Sequence, residues 1–322
     1  MRTPPGWPDD VEDILAGDLA AVLGLPTASG GVVLSAITTF GLRDRAAGTV
    51  GFTTSLGMGR KLERLAADPR AAILFHTRQH GTSREPGLVL VQGTATVAVP
   101  RGGQRADLAR RFDSYTGPSP HGRFWDRWLR VYKDVRVVVT VRATRILWWP
   151  TGSADEAPEV LGTPLPEPAE PQKPPHDAGT PRFPVARVHR ATRLRHQLLG
   201  VTLADGMPLI LPVDAAAPTP AGLDLTVPGS GLLPGGGRRA GYLAHDFHPQ
   251  LMGLRSAAHT GWLRADGSSL RWTPHTRLAF VSPRNRNLSL LGSGLAARVG
   301  YRTAVKQQKH DILKYAQDAP AS

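Results

Sequence analysis

The sequence contains no cysteine, which excludes disulfides, thiol nucleophiles, iron–sulfur clusters and thiolate zinc sites. It also lacks any run of about 18 apolar residues, the length a helix needs to cross a bilayer. The opening stretch MRTPPGWPDDVEDI has no basic segment followed by an apolar one, so the expectation is a cytoplasmic protein without a membrane partner. Aromatic residues are only 6% of the chain. Neither a basic helix with base-reading polar side chains nor a sheet with interleaved exposed aromatics is evident, which makes a nucleic-acid reader an unfavoured class. No nucleophile elbow and no P-loop occur, so hydrolysis and phosphoryl transfer lack their usual signatures. His245, His248, His259 and His275 have ligand-like spacings, but no HExxH-type order links them. They are read as structural, and no metal is assigned.

Positive charge, by contrast, is plentiful. Lys and Arg number 39 against 26 Asp and Glu, a net charge of +13, and six of the 39 are Lys. Part of this excess follows from an Arg-, Ala-, Gly- and Pro-rich composition. The rest favours an anionic partner, whether a phosphorylated cofactor, a nucleic acid or an anionic membrane, and charge by itself does not choose among them. At 322 residues, 41% hydrophobic and 20% charged, the chain is long enough for two domains.

Apolar spacing predicts a helix over 11–23, β-rich runs at 31–40 and 48–55, and a helix at about 58–67 closed by Pro69. Strands follow at 71–76 and 87–99, then helix over 104–133 and a closing strand at 135–150. Gly93, in the middle of the longer strand, marks a bulge or a close backbone approach. This order predicts a small barrel with helices outside it. Residues 151–181 are Pro-rich and acidic, and read as an extended surface linker. Further strands are expected at 196–206, 207–215, 222–228, 253–267 and 277–283, with one or two helices from about 288 to 317.

The stretch FTTSLGMGRKLERLAADPR (52–70) sets hydroxyls, two glycines and a basic pair at a strand-to-helix junction. Such junctions expose backbone N–H groups at the positive end of a helix and suit an anion, although Thr and Ser there also serve as simple helix caps. The halves repeat: RKLERLAADPRAAIL (60–74) laid beside RRAGYLAHDFHPQLMGL (238–254) matches the basic pairs, Leu65 with Leu243, Ala66 with Ala244 and Pro69 with Pro249. The expected plan is a barrel over 1–150, the linker over 151–181 and a second, degenerate barrel over 182–322.

GTVGFTTSLGMGRKLERLAADPRAAI followed by VLVQGTATV resembles the pyridoxamine 5'-phosphate oxidase-like split β-barrels, a superfamily of flavin- and deazaflavin-dependent oxidoreductases. The resemblance is best over 30–100 and only topological in the second half. It implies two tandem Greek-key barrels with flanking helices, mainly β, packed as an intramolecular pseudo-dimer in a monomer or homodimer. It also implies a cofactor in a groove between the barrels, its phosphate held by Thr53, Thr54, Ser55 and Lys61 with Arg60 in support. Gln92 and Gly93 would face the planar ring, Gln92 bonding a ring edge or else lying on a solvated strand face. No catalytic side chain is assigned, because hydride transfer requires a positioned, shielded ring more than an acid–base pair. The oligoglutamate tail of F420 suits an Arg-rich surface and places F420 ahead of FMN. A non-catalytic flavin, F420 or haem binder is the alternative, and a nucleic-acid-associated protein ranks last. The second half offers only Arg238 and Arg239 near a Gly-rich loop, so one strong site per chain is expected, with Trp262 or His259 shaping access.

Overall fold

Apolar residues in the first half alternate along the strands, but both alternating sets are buried, so these strands have a core on each face. The computed structural model describes residues 6–76, 80–134, 136–266 and 269–307. Its first half runs α1 (Asp9–Gly17), β1 (Ala21–Pro26), β2 (Val32–Ile37), β3 (Arg43–Asp44) and β4 (Thr49–Ser55), then a 3-10 turn at Leu56–Met58. There follow α2 (Arg60–Ala67), β5 (Arg70–Phe75), β6 (Leu88–Ala98), α3 (Gly103–Thr116), α4 (Arg123–Asp134) and β7 (Arg136–Trp149). After β8 (Glu159–Gly162) the second half has α5 (Ala186–Ala191), β9 (His196–Thr202), β10 (Pro208–Pro212), β11 (Ala215–Thr219) and β12 (Gly222–Thr226). It closes with β13 (Gly236–Asp246), β14 (Arg255–Asp266), β15 (Ser269–Val281) and α6 (Arg286–Lys306).

The first sheet has the order β2-β1-β5-β6-β7-β4-β3, with β8 added to β7; the second is β10-β9-β13-β14-β15-β12-β11. These are the same order, strand for strand. In each sheet the two end strands are not paired with each other. Ala21, Leu23, Ile73, Phe75, Val89 and Val91 fill the first sheet's own core with α1. Their neighbours Val22, Leu74, Leu88 and Leu90 join Leu199, Val201, Tyr242 and Trp272 in a second core shared by both halves. Period-2 alternation therefore places every second residue of β1 and β5 against the other sheet.

The packing is reciprocal. Gly24 stands opposite Leu34 and Ala72, and Gly200 opposite Ile210 and Gly241. A methyl on Gly24 would lie 3.0 Å from Ile210 Cδ1, and one on Gly200 2.8 Å from Leu34 Cδ2. Each glycine thus admits the other half's aliphatic side chain. The turns that follow match too: Gly30 N–H donates to Thr27 O and Gly206 N–H to Leu203 O, both at 2.9 Å, with φ of 81° and 80°. This left-handed region suits glycine.

Several expectations need correction. The helix expected over 11–23 stops at Gly17, and AVLGLP is strand β1, buried on both faces. The helix over 104–133 is two, broken at Gly117–Gly122 by two prolines and two glycines. The expected 60–74 to 238–254 match is out of register. Its basic pair Arg60-Lys61 opens a helix, whereas Arg238-Arg239 lies inside strand β13. The paired registers instead equate Arg70-Ala-Ala-Ile-Leu-Phe-His76 with Arg239-Ala-Gly-Tyr-Leu-Ala-His245. Residues 151–181 are not merely a surface tether. They supply β8, and Gln172 bridges the halves, donating to Gly30 O at 2.7 Å and accepting from Arg239 N–H at 2.9 Å.

Candidate functional site

Strand β4 alternates Val50 and Phe52 into the first core, which turns Thr54 inward with them and leaves Thr53 and Ser55 on the opposite face. Thr54, 4% exposed, therefore does not join the other two hydroxyls. Ser55 Oγ accepts from Gly57 N–H at 3.1 Å and caps the 3-10 turn. Thr53 Oγ1 accepts from Arg136 Nη1 at 2.6 Å, and Arg136 also donates to the Tyr132 hydroxyl and lies 4.5 Å from that ring's centroid. Its Nε–H is buried with no partner among the described residues.

Arg60 is exposed, and Lys61 is half-buried at the start of α2. Lys61 makes no hydrogen bond or ion pair with a described residue, and desolvation lowers its pKa to about 8. The 3-10 turn and α6 are in contact. A methyl on Gly57 would lie 2.8 Å from Ala297 O, and one on Gly300 would lie 2.1 Å from Gly57 O. Arg298 anchors the same helix, stacking 4.2 Å from the Trp128 ring and donating to Arg127 O.

Beside Thr53 opens a cavity of about 290 Å³ between α3, α4 and α6. Phe40, Leu108, Phe112, Leu129, Tyr132 and Leu290 give it an apolar wall, and Thr53, Arg105, Asp113, Ser119 and Arg136 are its polar lining. Arg136 escaped the sequence reading. Its signal is register: it opens the closing strand β7 directly opposite Ser55.

Gln92 and Gly93 lie elsewhere. Along β7, Thr53 pairs at Val138 and Gln92 at Arg145, roughly 23 Å apart at the strand rise. Gln92 is fully buried, its NH₂ donating to Pro208 O at 2.8 Å and its carbonyl accepting from Arg145 at 2.7 Å. Both ends are thus occupied, against the expected bond to a ring edge. Gly93 follows the β6 bulge, where a Cβ would lie 1.9 Å from Arg142 O. In the second half Arg238 is 1% exposed and bonded to Gly235 O and Ala169 O, so it offers no charge to a ligand. His259 is buried against Phe183, Tyr242 and Trp272 and shapes no entrance.

At the junction of the halves the register mates His76 and His245 meet, Nε2 to Nε2 at 3.1 Å, with His196 alongside. Among the described residues no three His, Asp or Glu converge as metal ligands.

Two antiparallel sheets of one strand order, each with unpaired ends and packed wall to wall, decide the fold. It is a tandem split β-barrel, mainly β with flanking helices. No family model matches the sequence, and no curated protein matches it. Among solved structures, the chain is similar to a conserved hypothetical protein from Mycobacterium tuberculosis, with 18% identity, a TM-score of 0.36, and coverage of 47% of this chain and 89% of that one. It is also similar to an F420 reductase, at 19% identity and a TM-score of 0.32 over 42% and 94%. A pyridoxamine 5'-phosphate oxidase-related, FMN-binding protein from Nostoc punctiforme matches at 7% and 0.29 over 62% and 88%.

Proposed function

We propose that this tandem barrel is an oxidoreductase that takes an anionic flavin-type cofactor, F420 ahead of FMN, at the junction between β4 and α2. The observation that carries this reading is Lys61, half-buried at a helix start and desolvated, with no counter-ion among the described residues. A charge desolvated without compensation is costly, and an incoming phosphate would supply the missing partner. Arg60, exposed beside Lys61, adds a second cation. Thr53, held by Arg136, lines the largely apolar cavity, which could take a planar ring. The bound cofactor supplies hydride transfer, and the chain binds, orients and shields it. Gln92, Gly93 and Thr54 are not carried into this site, which lies at the first barrel and α6 and not at the groove where Gln92 is buried.

A non-catalytic binder is the second reading, favoured by the contact of α6 with the turn at Gly57. Titration of wild type and Lys61→Ala with F420 and FMN tests binding. The expected loss is about 1.5–3 kcal/mol, the range for hydrogen bonds to charged groups, with the fold retained. In the wild type, affinity should fall as pH rises through about 8, where Lys61 loses its proton. Equal affinities for wild type and variant would refute the site. Binding without any reduction or oxidation of added substrates would favour the second reading.

A further inference from the structure

The repeat creates two equivalent grooves between the halves, and their contents differ. In one, Arg145, 3% exposed, donates to Gln92 Oε1, Thr163 O, Pro164 O and Asp205 Oδ2, the last at 2.6 Å. Arg70 is held there by Asp68 and by Asp205 O. Both arginines of that groove are thus paired, and Arg145 is buried in it.

Registers identify the mate of each member. Asp205, in the turn Leu203–Gly206, corresponds to Ser29 in the turn Thr27–Gly30. Gln92 opposite Arg145 corresponds to Thr260 opposite Thr276, and both pairs directly precede a β-bulge. Arg70 corresponds to Arg239. The second groove has thus exchanged its acid, amide and buried arginine for three hydroxyls. What remains is a solvent-open cavity of about 290 Å³ whose polar lining is Thr27, Ser29, Arg182, Arg239, Thr260, His275 and Thr276, with no carboxylate among the described lining residues. That volume is near the lower end of small-ligand pockets. The Arg239 guanidinium makes no hydrogen bond or ion pair with a described residue and lies 6.0 Å from the Trp262 ring, whereas Arg182 is paired with Asp177.

We propose that this second groove binds a small phosphorylated molecule, with Arg239 as its anchor. The hydroxyls are bonded in two pairs, Thr260 with Thr276 at 2.6 Å and Thr27 with Ser29 at 3.1 Å, so each pair leaves one O–H beside the Arg239 guanidinium, a donor set that suits the several oxygens of a phosphate monoester. The site is separate from the one at Lys61 and stands or falls independently of it.

The test uses full-length protein carrying Lys61→Ala, so that any phosphate bound at the first site is removed. Inorganic phosphate and ribose 5-phosphate are titrated calorimetrically at low salt, with citrate as the carboxylate comparison. Both phosphates are expected to bind, with citrate weaker. Arg239→Gln should weaken phosphate binding at least tenfold. Ser29→Asp, which restores the acid of the Arg145 groove, should abolish it by pairing with Arg239. Should Arg239→Gln fail to fold, the exposed Ser29→Asp variant decides alone. Absence of phosphate binding in the Lys61→Ala protein, or unchanged affinity in Ser29→Asp, overturns the proposal.

Discussion

Removing the Asp205 carboxylate should expose how much the Arg145 groove contributes to stability. Arg145 is 3% exposed and Asp205 31%, and the pair is closed at 2.6 Å. Asp205→Ala leaves a buried guanidinium with its neutral acceptors but no counter-ion. Breaking a buried pair costs about 3–5 kcal/mol, and the partial exposure of Asp205 places this case near the lower end, at about 3. An unfolding entropy of roughly 2.1 cal/mol/K per residue gives about 0.7 kcal/mol/K for a chain of 322 residues, so the melting temperature should fall by about 4 °C. Urea denaturation followed by tryptophan fluorescence, alongside calorimetry, measures both quantities. The double variant Arg145→Met, Asp205→Ala removes both charges and should recover much of the loss. Ser29→Ala, at the equivalent but exposed position, should change stability by less than about 0.5 kcal/mol. A loss below about 1 kcal/mol in Asp205→Ala, or a double variant less stable than the single, would refute the account.

Acid should weaken the fold earlier than carboxylate protonation alone would. Burial, reinforced for His245 by His196, holds the pKa of His245 at about 3, and burial first among its causes holds His196 and His259 at about 4. Folded values lie below the unfolded one, so stability is complete above about pH 6.5 and is lost as pH falls toward 4. For the two fully buried rings the loss is roughly 2 kcal/mol each at pH 5, measurable as a shift of the urea midpoint between pH 7.5 and 5, and a flat profile there would contradict it. Gly300→Ala should push α6 away from Gly57 O, at a cost of about 1–3 kcal/mol. Faster amide exchange across residues 286–306 would register it, and unchanged protection would show that the contact is dispensable.

Much of the architecture was legible because alternation and turn chemistry are local. The strand beginning at Thr49, the helix ended by Pro69, the bulge at Gly93 and the closing strand at 136–149 all follow from residues near one another. The duplicated plan was legible too, but its register was not. Arg60-Lys61 and Arg238-Arg239 look alike as dipeptides, yet the second half has a short 3-10 turn, Ser230–Leu232, where the first has α2. Strand β13 is not legible locally because Arg238, Arg239, Gly241 and His245 interrupt its apolar pattern; Gly241 and His245 meet Val32 and His76 of the first half, and Arg238 is held by Gly235 O and by Ala169 O of the linker. In the candidate site, Ser55 and Lys61 share a sequence signal, whereas Arg136 comes from a strand more than 70 residues away. The buried fate of Gln92 depends on Pro208 and Arg145, which no local pattern reveals.

The meeting of His76 and His245 shows what joining two barrels in one chain permits. In two identical copies related by a true twofold, whatever occupies the axis must be acceptable facing itself. One imidazole giving a proton and the other receiving it would break that equivalence. A single gene encoding both barrels removes the requirement, since each position can drift without its counterpart. The joined halves also cannot be separated by dilution, because the peptide between them fixes their local concentration whatever the bulk value. The chain can therefore keep one groove as a rigid, self-satisfied wedge and leave the other open, a division of labour closed to a symmetric pair.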